Sequence, residues 1–430
     1  MAASLFIVFL ASAISPLLVY FLRTRASYFL ALVPLSIFVL YLHYLQRLHD
    51  GSPLLETIHW IQSFGVHLQF RLDGLALLFL LLIAGIGTLI VLYAGSYLAG
   101  HPHLGRFYAI LFLFMGAMLG LVASENLIAL FVFWELTSLS SYLLVGFDYR
   151  KKEARAAALQ ALLVTFTGGQ ALLVAFLILA SLTDSFSFTQ ILEKKIQIQQ
   201  NPSYIILVLL VLTGAFTKSA QTPFHFWLPG AMAAPTPVSA YLHSATMVTA
   251  GVFLLARLTP LLGGTHLWAW SLTSFGLLTM LTGSILAIGQ TDLKRLLAYT
   301  TVAALGTMTM LLGLGTPLAA KAAIAFLLVH SLYKGALFMV AGAVDHETHT
   351  RDVRDLGGLI RHMPITAIAS GLAALAMCGV PPVLGFISKE LIYEAKLEFG
   401  QIGWFFAILG VIANALVVAV ALIVGIRPFL

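Results

Sequence analysis

Tyr204-Ile-Ile-Leu-Val-Leu-Leu-Val-Leu-Thr-Gly-Ala-Phe-Thr-Lys218 runs directly into Ser219-Ala-Gln-Thr-Pro-Phe-His-Phe-Trp-Leu-Pro-Gly230. The first half is a continuous apolar run without the period-two alternation of a barrel strand. The second half carries two prolines, each of which removes a backbone donor and clashes with the preceding turn. Inside a bilayer, an interrupted helix survives only where protein or a wet cavity satisfies the freed carbonyls. The stretch therefore reads as a transmembrane helix broken inside a bundle, with the cation Lys218 at the break.

The rest of the chain agrees. Of 430 residues, 60% are hydrophobic and only 9% charged, and the mean hydropathy is +0.99. Soluble domains carry about 25% charged residues, which excludes that class. Thirty-five glycines and fifteen prolines suit a polytopic bundle, where small residues let helices approach closely. Apolar segments long enough to span run at 4–22, 27–45, 73–98, 107–123, 126–146, 156–181, 204–220, 238–258, 267–288, 293–314, 319–343, 364–397 and 402–426. The expectation is an all-α polytopic membrane protein of about thirteen transmembrane helices. The longest polar connections fall at 46–71 and 182–203, the second reading as extramembrane.

The net charge of +6 does not signal a nucleic-acid partner, because basic residues of membrane proteins collect in cytoplasmic loops. With the N-terminus outside, thirteen Lys/Arg fall in inner loops and six in outer ones, the six being Arg47, Arg71, Lys194, Lys195, Arg257 and Lys396. That bias predicts an outside N-terminus in the plasma (inner) membrane. The first apolar run lacks a basic leader and a small-residue cleavage site, so it reads as a retained span. The single cysteine, Cys378, reads as a small core residue and excludes internal disulfides and multi-cysteine metal clusters.

A second break lies at Cys378-Gly-Val-Pro-Pro382, with Lys389 shortly after. The broken helices are the seventh and twelfth, five spans apart. An odd separation reverses the direction of crossing, so two five-span units would be inverted repeats, a recurring transporter design.

The charges within spans carry the functional argument. A charged side chain at the bilayer centre costs about 2.5–3.5 kcal/mol on insertion scales. Glu135 sits mid-span in Phe131-Val-Phe-Trp-Glu-Leu-Thr-Ser-Leu-Ser-Ser141; Lys218, His243, His330, Lys334 and Lys389 follow on later spans. His330 and Lys334 are four apart and share a helix face. Thr137, Ser138, Ser140 and Ser141 either hold waters near Glu135 or pack helices. A lysine in water keeps its proton up to a pKa of about 10.4. Burial disfavours the charged form and a neighbouring carboxylate favours it. A carboxylate that approaches and withdraws can therefore switch proton affinity, and Glu135 beside Lys218 would form such an element of a pump or antiporter. A fixed, helix-gluing salt bridge is the competing structural reading. Lys294 and Arg295 read first as an anchor of the tenth span, with Lys294 also placed to feed protons into the path. Lys321 reads as a snorkelling anchor. Asp345-His-Glu-Thr-His-Thr-Arg-Asp352 looks superficially metal-binding but fits a polar inner loop better. Gly313-Leu-Gly315 lacks the strand-turn-helix context of a nucleotide site.

Phe133-Trp-Glu-Leu-Thr-Ser138, Thr217-Lys-Ser-Ala-Gln-Thr-Pro-Phe-His-Phe-Trp-Leu-Pro229, Pro235-Thr-Pro-Val-Ser-Ala-Tyr-Leu-His-Ser-Ala-Thr-Met-Val248 and Asp292-Leu-Lys-Arg-Leu-Leu-Ala-Tyr299 resemble the antiporter-like subunits of respiratory complex I. His330-Ser-Leu-Tyr-Lys334 and Gly385-Phe-Ile-Ser-Lys389 fit the same family. Val344-Asp-His-Glu-Thr-His-Thr-Arg-Asp352 is more similar to the A subunit of Mrp-type multisubunit sodium/proton antiporters. The resemblance implies one transmembrane antiporter-like domain over 1–430: N-terminal helices over 1–98, a first repeat over about 107–258 and a second over about 267–426. In such a fold of about fourteen core spans, the fourth to eighth and ninth to thirteenth form the inverted repeats.

The resemblance also implies roles for particular residues. Glu135 and Lys218 form the coupled pair, and His243, Lys334 and Lys389 act as relay stations, with His330 following by position. It implies exchange of Na+ for H+ within a multisubunit complex of the plasma membrane, without a cofactor, redox centre or nucleotide. The partners expected are the other antiporter subunits, Na+, H+ and membrane lipid. Complete A subunits continue through a fourteenth span and a C-terminal extension, so the chain is expected to be truncated relative to the family. The alternative places the same relay in a proton-pumping membrane subunit of complex I (NADH:quinone oxidoreductase) or a membrane-bound hydrogenase.

Overall fold

A computed structural model describes residues 1–47, 52–61 and 66–430. Its helices in chain order are α1 (Ala2–Leu22), α2 (Ala26–Arg47), α3 (Gly74–Tyr97), α4 (Leu104–Ala123), α5 (Leu127–Val145), α6 (Lys152–Thr183), α7 (Phe188–Glu193), α8 (Lys195–Gln200) and α9 (Tyr204–Lys218). After the first break come α10 (Trp227–Gly230), α11 (Thr236–Ser244), α12 (Ala250–Leu262), α13 (His266–Ile288), α14 (Leu293–Leu314), α15 (Pro317–Thr348), α16 (Pro364–Cys378), α17 (Leu384–Leu397) and α18 (Gln401–Gly425). Among the described residues, ten helical stretches are long and apolar enough to cross a membrane, the first of them, Ala2–Arg47, comprising α1 and α2. Two shorter apolar helices, α9 and α16, end shortly before Pro223 and before Pro381 and Pro382.

One connection differs from the helical expectation. Residues of the 46–71 segment form a two-stranded antiparallel hairpin, β1 (Leu54–Ile61) with β2 (Val66–Leu72), in which Leu54 pairs with Leu72 and Thr57 with Gln69. Val66-His-Leu-Gln-Phe-Arg-Leu72 alternates strictly between apolar and polar, the period of a half-buried strand. Residues 48–51 and 62–65 of the expected connection lie outside the described residues. The 182–203 connection contains the short helices α7 and α8.

The chain divides into two compact units. The first comprises Met1–Lys218 with Pro260–Leu262. In it α4 packs on α1 and α5, α5 on α6, and α6 on α9. Its α4–α5 corner is pinned by Glu125, buried at 3% exposure, which accepts from the Thr189 amide at 2.7 Å and the Ser187 hydroxyl at 3.1 Å. Arg71 lies 3.6 Å from the same carboxylate.

The second unit comprises Ser219–Thr259 and Gly263–Leu430. Its tightest pair is α13 with α14, where Gly276, Gly283 and Gly306 each face backbone atoms of the other helix. This is the small-residue contact by which helices associate in lipid, where no hydrophobic force separates protein from solvent. Around that pair, α15 packs on α11, α14, α16 and α17, and α18 on α13 and α16.

Candidate functional site: buried lysines held by neutral acceptors

In the first unit, Asn126 caps α5 by accepting from the amides of Ile128 and Ala129, so the helix presents Trp134, Glu135 and Ser138 mid-span. Lys218, the last residue of α9, is fully buried. A cation is stabilised at a helix C-terminus, where unsatisfied carbonyls carry the negative end of the dipole. Its ammonium donates to the Trp134 carbonyl at 3.0 Å and the Ser138 hydroxyl at 2.7 Å, and sits 5.0 Å from the Trp134 ring centroid. Glu135 is near enough to interact electrostatically with Lys218. Yet no ion pair joins the two among the described residues, and Glu135 Oε1 is buried without a hydrogen-bond partner. Thr137, Ser140 and Ser141 donate to carbonyls of their own helix.

The second unit repeats the solution. Lys334 on α15 is fully buried and donates to the Leu297 carbonyl at 3.3 Å and the Thr300 hydroxyl at 2.6 Å, both on α14. Lys389 on α17 donates to the Cys378 carbonyl at 2.7 Å, the last residue of α16, and to Asn414 Oδ1 on α18. It thus caps the broken helix. Lys294, 1% exposed at the start of α14, donates to the Ala234 carbonyl at 2.6 Å. This burial goes beyond the surface anchor that reads first from the sequence.

His243 on α11 and His330 on α15 are fully buried; among the described residues His243 has no hydrogen-bond partner on either ring nitrogen, while His330 lies against the Ser244 backbone. Aromatic rings enclose each of them: Trp227 and Phe338 at 6.4 and 6.3 Å from His243, Phe326 and Tyr333 at 6.2 and 5.5 Å from His330. The two helices are tied by Ser331 donating to the Ser244 carbonyl at 3.1 Å. Lys294 lies near enough to His243, and Lys334 to His330, for their charges to interact.

A cavity of about 60 Å³ lies beside Lys389, lined by Thr300, Tyr333, Lys389, Tyr393, Lys396 and Asn414 among others. A water needs about 10–15 Å³ on that measure, so several fit. The loop count misplaces Arg257, 7% exposed on α12, and Lys396. Counted there as an outer-loop cation, Lys396 is 1% exposed and 5.2 Å from the Tyr393 ring centroid. Seven residues after Lys389, two helical turns on, it lies on the same face of α17, and that spacing was the available signal. Lys321, in contrast, is exposed on α15. Among the described residues, no three His, Cys, Asp or Glu side chains converge as a metal site.

Ten helical stretches long and apolar enough to cross a membrane, among the described residues, with helices broken at prolines near buried ammonium groups, define a polytopic helical membrane fold. A family model described as NADH:quinone oxidoreductase/Mrp antiporter, TM, matches residues 124–416. A second, described as NADH-ubiquinone oxidoreductase (complex I), chain 5 N-terminus, matches 58–108. The chain belongs to the NADH:quinone oxidoreductase/Mrp antiporter transmembrane family.

Na(+)/H(+) antiporter subunit A1 of Staphylococcus aureus is 44% identical over 416 residues, covering 92% of this chain and 52% of that protein. The same subunit from the Newman strain gives equal figures. A chain of the Mrp complex from Dietzia sp. matches with a TM-score of 0.90 and 37% identity, over 98% of this chain and 46% of that one. The chain therefore spans about half the length of the relatives it matches.

Proposed function

We propose that this chain is the proton-translocating part of a multisubunit Na+/H+ antiporter, and that Glu135, Lys218, His243, Lys294, His330, Lys334 and Lys389 carry the protons. The observation that carries the reading is the partner choice of the buried lysines. Lys218, Lys334 and Lys389 are each held by a carbonyl and a neutral hydroxyl or amide oxygen. An ammonium bonded only to neutral acceptors loses its proton without leaving an unpaired buried carboxylate, whereas a structural ion pair would be locked. Buried polar atoms left unpartnered among the described residues, as on Glu135 and His243, are rare in structural networks and need a functional account.

The kinship to a Na(+)/H(+) antiporter subunit supports the cation; the match to an Mrp complex supports companion subunits as partners. In this reading the protein lies in the plasma membrane with its N-terminus outside, and α4 to α12 and α13 to α18 contain the two inverted repeats. The test is sodium-dependent proton exchange in everted vesicles carrying the whole set of subunits. Lys218→Ala abolishes exchange at unchanged complex abundance; retained exchange returns Lys218 to a structural role.

The family also includes membrane subunits of NADH:quinone oxidoreductase, so a redox-driven pump is the second reading. Iron–sulfur proteins co-purifying with the chain would favour it over the antiporter.

A further inference from the structure

We propose that Gly169 on α6 is the seat of the Glu135 carboxylate, a positioning residue that keeps this acid beside Lys218 without letting the two lock together; the transport consequence rests on the function proposed above. A methyl group built on Gly169 would coincide with Glu135 Oε1, so the carboxylate occupies the space that any other residue's Cβ would take. The neighbouring glycine does the same for the other partner's helix. A methyl on Gly168 would coincide with the hydroxyl of Thr217, the residue before Lys218. That hydroxyl is fixed by bonds to the carbonyls of Thr213 at 2.9 Å and Gly214 at 3.0 Å. One glycine pair on α6 thus sets how closely α5 and α9, the helices bearing the acid and the base, both approach.

Small residues in membrane helices usually serve helix packing, and the two cases separate here by what fills the missing Cβ. At Gly276, Gly283 and Gly306 the neighbours are backbone atoms of the facing helix, which is packing. At Gly169 the neighbour is a carboxylate oxygen. The second unit has a parallel: a methyl on Gly410 would meet the ammonium of Lys396. Turned toward Gly169, Glu135 Oε1 accepts no hydrogen bond, while Lys218 is satisfied by Trp134 and Ser138. The seat therefore holds the acid by shape rather than by bonding.

The experiment uses the assembled complex and two readouts, thermal stability and sodium-dependent exchange as a function of pH. G169A displaces the carboxylate by an atom's width. Misplacement of about 1 Å costs on the order of 100-fold in catalysis, so exchange is expected to fall about 10- to 100-fold with an altered pH profile. G169A/E135D, whose shorter side chain leaves room for the methyl, is expected to recover a large part of the loss. In an E135A background, G169A is expected to lower the thermal midpoint no further, because the atom it collides with is gone.

The seat is overturned if G169A lowers the midpoint equally in the wild-type and E135A backgrounds, since additive effects mean the two sites do not touch. It is also overturned if G169A exchanges like the wild type while Lys218→Ala abolishes exchange. A complex in which Lys218→Ala still exchanges, but E135A removes the stability cost of G169A, retains the seat and refutes the transport role.

Discussion

Replacing Lys334 with methionine separates transport from architecture, because α15 supplies its own control. Lys334 is fully buried, and Lys321 on the same helix is exposed. Burying the Lys334 charge costs about 2.5–3.5 kcal/mol. Against this stand two hydrogen bonds from a charged donor, to Leu297 and Thr300, worth about 1.5–3 kcal/mol each. The Tyr333 ring, 5.7 Å from the ammonium, adds about 0.5–2 kcal/mol. These favourable terms sum to about 3.5–8 kcal/mol and exceed the burial cost, but no buried carboxylate is left unpaired when the ammonium is replaced by an apolar side chain of similar length. Lys334→Met is therefore expected to leave complex abundance close to wild type. If the ammonium passes protons, exchange in everted vesicles falls by about 100-fold or more, the scale of a lost general acid–base group. Lys321→Met keeps its exchange. The reasoning is refuted if Lys334→Met exchanges within about twofold of Lys321→Met at equal abundance, or if its only defect is failed assembly.

Two further outcomes follow from the geometry. Lys396→Met is expected to lower exchange about tenfold or more with assembly intact; wild-type exchange would leave Lys396 as a packing residue beside Tyr393. Outside the spans, the Arg354 guanidinium donates at 3.0 and 2.6 Å to Asp352 and holds that carboxyl down at about 2, against about 3.9 in an unfolded chain. A carboxyl lowered by folding stabilises above its unfolded value and ceases to as pH falls through its folded one. Protection of the Val353 amide, bonded to the Thr291 carbonyl at 2.9 Å, should thus hold down to about pH 4 and decline as the pH drops to about 2. In hydrogen exchange, Asp352→Asn should show no such decline, and an unchanged profile would remove the pair from the account.

Much of this was legible along the chain. Pro223 follows the end of α9 at Lys218, and Pro381 and Pro382 separate α16 from α17, because proline acts on its own turn. Glu135, Lys218, His330 and Lys334 stood out because a charge or imidazole in an apolar run is costly wherever the helix packs. The hairpin was legible too, in the alternation of Val66 to Leu72, and was passed over because that segment is short and polar beside its apolar neighbours. Lys396 was misread for a different reason: near a helix end, hydropathy does not distinguish a snorkelling lysine from one folded inward.

Composition and local pattern by themselves determined that this is a helical membrane protein, where its helices break, and which side chains are expensive to bury. Those properties depend on a residue and its own turn of helix. The tertiary structure alone decided how the expense is met: Lys218 by Trp134 and Ser138 rather than by Glu135, Lys334 by Thr300, Lys389 by Cys378 and Asn414. Partner choice turns on distances of a few ångströms between helices far apart in the chain. Those distances are set where a glycine such as Gly168 or Gly169 lets another helix's side chain occupy the place of its missing Cβ.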